Sequence, residues 1–135
     1  MTDIKKFTSF ATSNCYLISP FDNEIVFLID LPPNIDEVIE WADALNILRI
    51  QRERMSGGLL PSIREYRNLF GISSDRLSRH KKELVIMHPG PMNRGVEIDS
   101  SVADSDQAII LDQVLNGVAS RMAILYLLLG GKEIT

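Results

Sequence analysis

The sequence predicts an α/β domain. It is a three-layer, Rossmann-like arrangement with a mostly parallel four-stranded sheet and a long C-terminal helix. Three observations lead to that reading. Four short apolar runs bounded by turn residues read as strands. The last three are separated by helix-patterned segments, which implies parallel pairing with right-handed crossovers. A proline-rich loop follows the last of these runs, at the carboxyl end of a strand, where open α/β sheets bind ligands.

The elements follow in order. Residues 1–13 show no clear period and read as a frayed start or a weak edge element. Asn14 to Ser19 is the first strand, and Cys15 within it reads as a packing residue. Pro20-Phe21-Asp22-Asn23 is a turn. Glu24 to Leu31 is a second strand, nearly continuous in apolar residues, as suits a sheet covered on both faces. Too few residues join these two strands for a helical crossover. They pair antiparallel, or a helix between them has been lost.

Pro32-Pro33 ends the second strand. Asn34 is an N-cap, with Glu37 three residues on completing a capping-box-like pattern. The helix runs to about Ala42, with Ile35, Val38, Ile39 and Trp41 mostly on one side. Ala44 to Ile50 is the third strand, and Ser56-Gly57-Gly58 a flexible joint beyond it. Ser62 and Glu65 make a second capping box, whose helix ends at Gly71, a usual C′ residue. Ser74 caps a short helix from Asp75 to Lys82. Its Arg76, Arg79, His80, Lys81 and Lys82 read as a solvated basic face, with anion binding as the alternative.

Leu84 to Met87 is the fourth strand. The last helix spans about Asp106 to Leu129, with Ile110, Val114, Val118, Met122 and Leu125 at helical spacing. Its second half is apolar around most of its circumference, so it is buried on more than one side or wants a partner surface. Gly117 within it suggests close approach by another backbone. Gly130-Gly131 stops it.

Composition bounds the function classes. A chain of 135 residues has length for one domain, residues 1–135, with a real core. The 45% hydrophobic and 24% charged fractions suit a soluble globular protein, and a net charge of -4 argues against a nucleic-acid binder. One cysteine excludes an internal disulfide and a cysteine-based zinc site. With only His80 and His88 beside it, no metal constellation is visible, and no cofactor is expected. Met1 to Lys6 leads into polar residues rather than an apolar signal-peptide core. The longest apolar run, Met122 to Leu129, is too short to span a bilayer. The expectation is a cytoplasmic protein with no membrane partner.

Two stretches carry the chemistry. The first is His88 to Ile98, HPGPMNRGVEI. Proline fixes φ, removes a backbone donor and restricts the residue before it. The bonds His88-Pro89 and Gly90-Pro91 therefore make a rigid, shaped loop that continues neither strand nor helix. Gly90-Pro91 is a candidate cis bond, although trans is the default. Asn93, Arg94 and Glu97 crowd the same loop. The second stretch is Arg49 to Met55, at the end of the third strand. Neighbouring parallel strands put both stretches on one rim of the sheet. Alternation sends Arg49 and Gln51 to the same side, where arginine supplies a planar fork for a carboxylate and glutamine adds neutral donors. For Arg52, Glu53 and Arg54 a surface ion-pair network is the competing reading.

These strings carry a resemblance. HPGPMNRGVEI looks like the signature of aspartate carbamoyltransferase, His-Pro-x-Pro followed by Asn-Arg-Gly-Val-Glu-Ile. The Gly-Pro pair separates it from the sister ornithine enzymes, which carry His-Cys-Leu-Pro. Arg49 to Arg54 resembles the family pattern Leu-Arg-x-Gln-x-Glu-Arg, and Gln113 to Ala123 looks like the family's final helix. The resemblance is clearest from Ile35 to Leu129 and faint upstream.

The resemblance implies that Arg49 and Gln51 recognise L-aspartate and that Pro89, Gly90 and Pro91 hold the carbamoyl group, partly through backbone carbonyls. His88, Arg94 and Glu97 shape that loop. It also implies transfer of a carbamoyl group from carbamoyl phosphate to L-aspartate, in pyrimidine biosynthesis, without a metal. The final helix packs in that family against a carbamoyl-phosphate domain. Within these 135 residues the family's Ser-Thr-Arg-Thr-Arg phosphate loop and His-Ser-Arg-x-x-x-Ser segment do not occur. The reaction needs such a cradle of backbone N–H groups and cations for the departing phosphate. No catalytic residue is therefore assigned. The expectation is the aspartate-binding domain of the family, acting with a partner chain that supplies the phosphate-binding half or in a homotrimer. The alternative is a non-catalytic interaction or regulatory module, or a truncated fragment, that keeps the fold. A sensor for another amino acid stays open as well.

Overall fold

The computed structural model describes residues 3–8, 14–19, 26–30, 35–40, 42–51, 62–80 and 83–130. Its strands are β1 (Asp3–Thr8), β2 (Asn14–Ser19), β3 (Phe27–Ile29), β4 (Ala44–Asn46) and β5 (Val85–Met87). Its helices are α1 (Ile35–Ile39), α2 (Ile63–Phe70), α3 (Ser74–Ser78), α4 (Ser100–Ala103) and α5 (Ile110–Leu128). The fold class is α/β, as the sequence implies, with the long C-terminal helix in place. All four expected strands are present, and the stretch read as a weak edge adds a fifth, β1, beside β2. The sheet runs β1-β2-β3-β4-β5. The first two pairings are antiparallel and the last two parallel. The short connection after β2 thus makes an antiparallel pair, the first of the two alternatives.

The apolar runs form the core. Leu28, Leu45 and Ile86 lie on adjacent strands in one register and are 1%, 0% and 0% exposed. Ile35 and Ile39 of α1 are equally buried, as the helical spacing requires. Ladders are shorter than the apolar runs. β4 ends at Asn46, and residues 47–51 leave the sheet, although the Ile47 N–H still donates to the Met87 carbonyl at 2.9 Å.

Local chemistry explains the helix ends. Ser62 Oγ accepts the Glu65 N–H at 3.3 Å, so Ser62 is the N-cap that starts α2. Gly71 ends it in extended rather than left-handed backbone, at φ -70°. Its glycine is required by space: a Cβ would lie 2.6 Å from the Arg67 carbonyl and 2.8 Å from that of Val96.

Several expectations are corrected. Ser73 caps α3, not Ser74, and its Oγ accepts the Arg76 N–H at 3.1 Å. Arg76 is not on a solvated face. It is 9% exposed, and its guanidinium donates to the Gly71 and Asn68 carbonyls at 2.6 and 2.7 Å and pairs with Asp36 at 3.1 Å. His80 Nε2 also faces Asp36, at 3.6 Å, while Arg79 stays exposed beside Asp75. The guanidinium satisfies carbonyls at the end of α2, which outweighs hydration of one more cation.

The last helix starts at Ile110 rather than near Asp106. Residues 107–109 are drawn against the edge of β5 instead. Ile86 donates to the Gln107 carbonyl at 2.8 Å and Ile109 donates to that of Ile86 at 2.9 Å. A separate helix, α4, precedes this bridge. The nearest neighbour of a Cβ at Gly117 among the described residues would be the Arg121 guanidinium, at 3.4 Å, and not another backbone. Among the described residues, α5 is anchored only near its start. Ile110 is buried, and Gln113 donates to Asn46 Oδ1 at 3.1 Å. Beyond that its apolar side chains are open, with Leu115 at 70% and Leu127 at 74% exposure. No described helix is long and apolar enough to cross a membrane.

The expectations for the Pro20–Asn23 turn, Pro32-Pro33, the Asn34 cap, Trp41, Lys81, Lys82, the Ser56–Gly58 joint and Gly131 lie outside the described residues, as do the side chains of Cys15 and Val38. Leu45, central in the sheet, gives the sharpest test of the core. Leu45→Ala is expected to cost about 3 kcal/mol. Urea unfolding followed by circular dichroism reads this as a lower midpoint at unchanged slope.

Candidate functional site

The parallel pairing of β4 with β5 sends both chains out of the sheet at one edge. There the two motifs meet. Asn93 Nδ2 donates to the Ile50 carbonyl at 3.2 Å, tying the proline loop to the segment that carries Arg49 and Gln51. The expected common rim is therefore present. Arg49, Ile50 and Gln51 are half-buried, whereas Arg52, Glu53 and Arg54 lie outside the described residues.

The loop is held from below. His88 is 0% and Glu97 1% exposed. His88 Nδ1 accepts the Gly90 N–H at 2.9 Å, and a Glu97 carboxylate oxygen accepts the Asn93 N–H. Gly90 adopts φ +64°, a conformation open to glycine at little cost, and the Gly90-Pro91 bond is cis. Its tail is fixed on the other side. Ile72 donates to the Glu97 carbonyl at 3.0 Å, and Asp99 donates to that of Ile72 at 2.9 Å. Pro89 and Pro91 stay exposed above this base, and Val114 at the start of α5 lies close to Gly90. With no N–H on either proline, the segment offers carbonyl acceptors and few competing donors. That suits a ligand group rich in N–H.

Arg94 points away from this interior. Its guanidinium grips the Asp104 carboxylate with two contacts of 2.8 Å, joining the loop to the end of α4. That hydrogen-bonded pair holds the Asp104 carboxyl below, and Arg94 above, the usual range. Arg67 makes a similar grip on Asp99, with contacts from 2.9 to 3.1 Å.

Sequence reasoning missed two neighbours. Asp30 closes β3 at the same edge with φ +62°, and its N–H donates to the Asn46 carbonyl at 3.1 Å. Tyr66 stacks on Phe70, ring centres 4.9 Å apart. Its phenol titrates well above the ordinary tyrosine range, first through burial and then through the negative charges of Asp30 and Glu97. The Asp30 signal was the turn after an apolar run; nothing local marks Tyr66.

The family model for the aspartate/ornithine carbamoyltransferase Asp/Orn-binding domain matches residues 16–128. The chain belongs to the aspartate/ornithine carbamoyltransferase family. The match reaches back to Tyr16, well upstream of the stretch where the motifs alone are clear. The aspartate carbamoyltransferase catalytic subunit of Gemmatimonas aurantiaca is 64% identical over 98 residues, covering 73% of this chain and 31% of that protein. That of Halothermothrix orenii is 54% identical over 106 residues, covering 78% and 34%. The chain thus spans about a third of the length of the curated relatives it matches. Among solved structures, aspartate transcarbamoylase from Trypanosoma cruzi in complex with carbamoyl phosphate superimposes with a TM-score of 0.56 at 30% identity. It covers 67% of this chain and 28% of that one. Ornithine carbamoyltransferase from Pyrococcus furiosus shares the carbamoyltransferase fold, with a TM-score of 0.56 at 24% identity.

The Arg94–Asp104 grip makes a pH prediction. A depressed aspartate stabilises the fold above its unfolded pKa and loses that contribution as pH falls through the folded value. Asp104→Asn should therefore melt slightly below the wild type at pH 7, a small effect for an exposed pair. The two melting curves should converge only in acid, as pH falls through the depressed folded-state range of the Asp104 carboxyl, as read by circular dichroism.

Proposed function

We propose that this domain carries the aspartate-binding half of an aspartate carbamoyltransferase site, and that it takes part in carbamoyl transfer only with a complementary carbamoyl-phosphate-binding half. The observation that carries this reading is the Asn93–Ile50 hydrogen bond, which keeps the two motif segments side by side. Arg49 supplies a guanidinium fork for a carboxylate of L-aspartate, and Gln51 supplies neutral donors beside it. The carbonyls of Pro89, Gly90 and Pro91 accept from the carbamoyl NH₂ group. His88, Arg94 and Glu97 keep the loop in shape. No catalytic residue is assigned to this chain, and the reaction needs no metal.

The substrate reading rests on likeness as well as geometry. The relatives at 54–64% identity are named aspartate carbamoyltransferase catalytic subunits, and one solved neighbour holds carbamoyl aspartate and phosphate. The open apolar face of α5 supports the partner requirement. Contiguous apolar surface of this kind marks a face that another element covers. In this reading the complementary half covers it, in a homotrimer or with a partner chain. The same face favours the second reading, a non-catalytic interaction or regulatory module. Pyrimidine biosynthesis and a cytoplasmic location follow from the first reading.

Arg49→Ala tests the assignment. Losing a charge-assisted pair of hydrogen bonds should weaken L-aspartate binding by at least roughly 100-fold. Titration calorimetry should then show no saturable heat in the variant. Equal affinity in variant and wild type would remove Arg49 from the site.

A further inference from the structure

His88 and Glu97 are the most deeply buried polar side chains among the described residues. Burying a histidine and a carboxylate is costly unless partners compensate. Their partners are unusual, because each leads to a segment of the rim. His88 Nδ1 accepts from the Gly90 N–H at 2.9 Å, so the neutral ring carries its proton on Nε2. That Nε2 faces Glu97 Oε1 at 3.7 Å, beyond hydrogen-bond distance, and has no hydrogen-bond partner among the described residues. The same Oε1 accepts the Asn93 N–H, and the Asn93 side chain donates to the Ile50 carbonyl at 3.2 Å. One path of partly buried contacts therefore runs from Gly90, through His88, Glu97 and Asn93, to Ile50. It starts in the loop assigned above to the carbamoyl group and ends between Arg49 and Gln51.

We propose that His88, Glu97 and Asn93 form a positioning unit that fixes the Arg49–Gln51 segment relative to the Pro89–Pro91 loop. None of the three touches a ligand. The proposal rests on the site reading above, and it adds that L-aspartate affinity depends on residues outside the recognition motif. Two features suit the role. The path lies within the folded base of the loop, where packing leaves few alternative rotamers. The hydrogen bonds at Gly90, Asn93 and Ile50 each use a backbone group of the segment they hold, so they constrain main-chain position rather than one side chain.

The test uses the 135-residue chain with Asn93→Ala and Glu97→Gln. Asn93→Ala removes the tie to Ile50 and leaves the Asn93 N–H in place. Glu97→Gln keeps size and an acceptor but removes the carboxylate. Nitrogen-15 NMR of the imidazole rings should show His88 as the Nε2–H tautomer in the wild type. Amide resonances of Arg49, Ile50 and Gln51 should shift in both variants, with the thermal midpoint close to wild type in Asn93→Ala. L-aspartate dissociation constants should rise about tenfold, in line with the sensitivity of ligand sites to small displacements. A protein in which the Asn93 side chain plays no part in holding the rim would show neither change. Wild-type resonances at 49–51 in both variants, or an Nδ1–H tautomer, would overturn the proposal. If the wild type binds no L-aspartate, the site reading fails, and the amide and imidazole spectra still decide the positioning unit.

Discussion

Parallel pairing between β4 and β5 leaves both strands pointing the same way, and every feature of the rim follows from that. Antiparallel pairing would separate the Arg49–Gln51 segment from the proline loop by the length of the sheet. The parallel ladder is short, Ala44 to Asn46 against Val85 to Met87, and is extended by the Ile47–Met87 hydrogen bond. Beyond that point the backbone groups cannot rely on the sheet. Side chains take over: Asn93 reaches Ile50, Glu97 holds Asn93, and His88 holds Gly90. Regular structure thus sets the direction of the two segments, and buried polar groups set their final positions.

The legible parts of the sequence were those governed by local rules. The Ser62 cap and the rigid proline loop each depend on residues within a few positions, and each is in place, whereas the glycine at position 71 answers in part to the distant Val96 carbonyl. The common rim was legible too, because two apolar runs separated by helices imply parallel strands. What was not legible depended on distant partners. Arg76 looks like its basic neighbours in the sequence, but its fork finds two carbonyls and Asp36. Residues 107–109 continue a helical pattern, yet bonding to Ile86 outweighs that local preference. Tyr66 joins the neighbourhood of Asp30 and Glu97 through tertiary packing that no motif announces.

α5 is the element whose sequence and structure agree most uncomfortably. Its apolar excess predicted burial on more than one side or a partner surface, and among the described residues only its first turns are packed. Each exposed leucine leaves apolar area in water at an unfavourable ~25 cal/mol per Å² relative to burial. A face that large, continuing from Val114 beside Gly90, links the geometry of the loop to whatever covers the helix. In the proposed function that cover is the complementary half, so completing the site and burying α5 are one event.

The measurement that bears most directly on this account is carbamoyl-aspartate formation from carbamoyl phosphate and L-aspartate. It should be run with this chain alone and with a separately expressed carbamoyl-phosphate-binding domain of a related enzyme. The account predicts activity in the mixture and none in the chain alone. Silence in the mixture, with both folds intact and the domains associated, would contradict it and leave the rim as a non-catalytic surface.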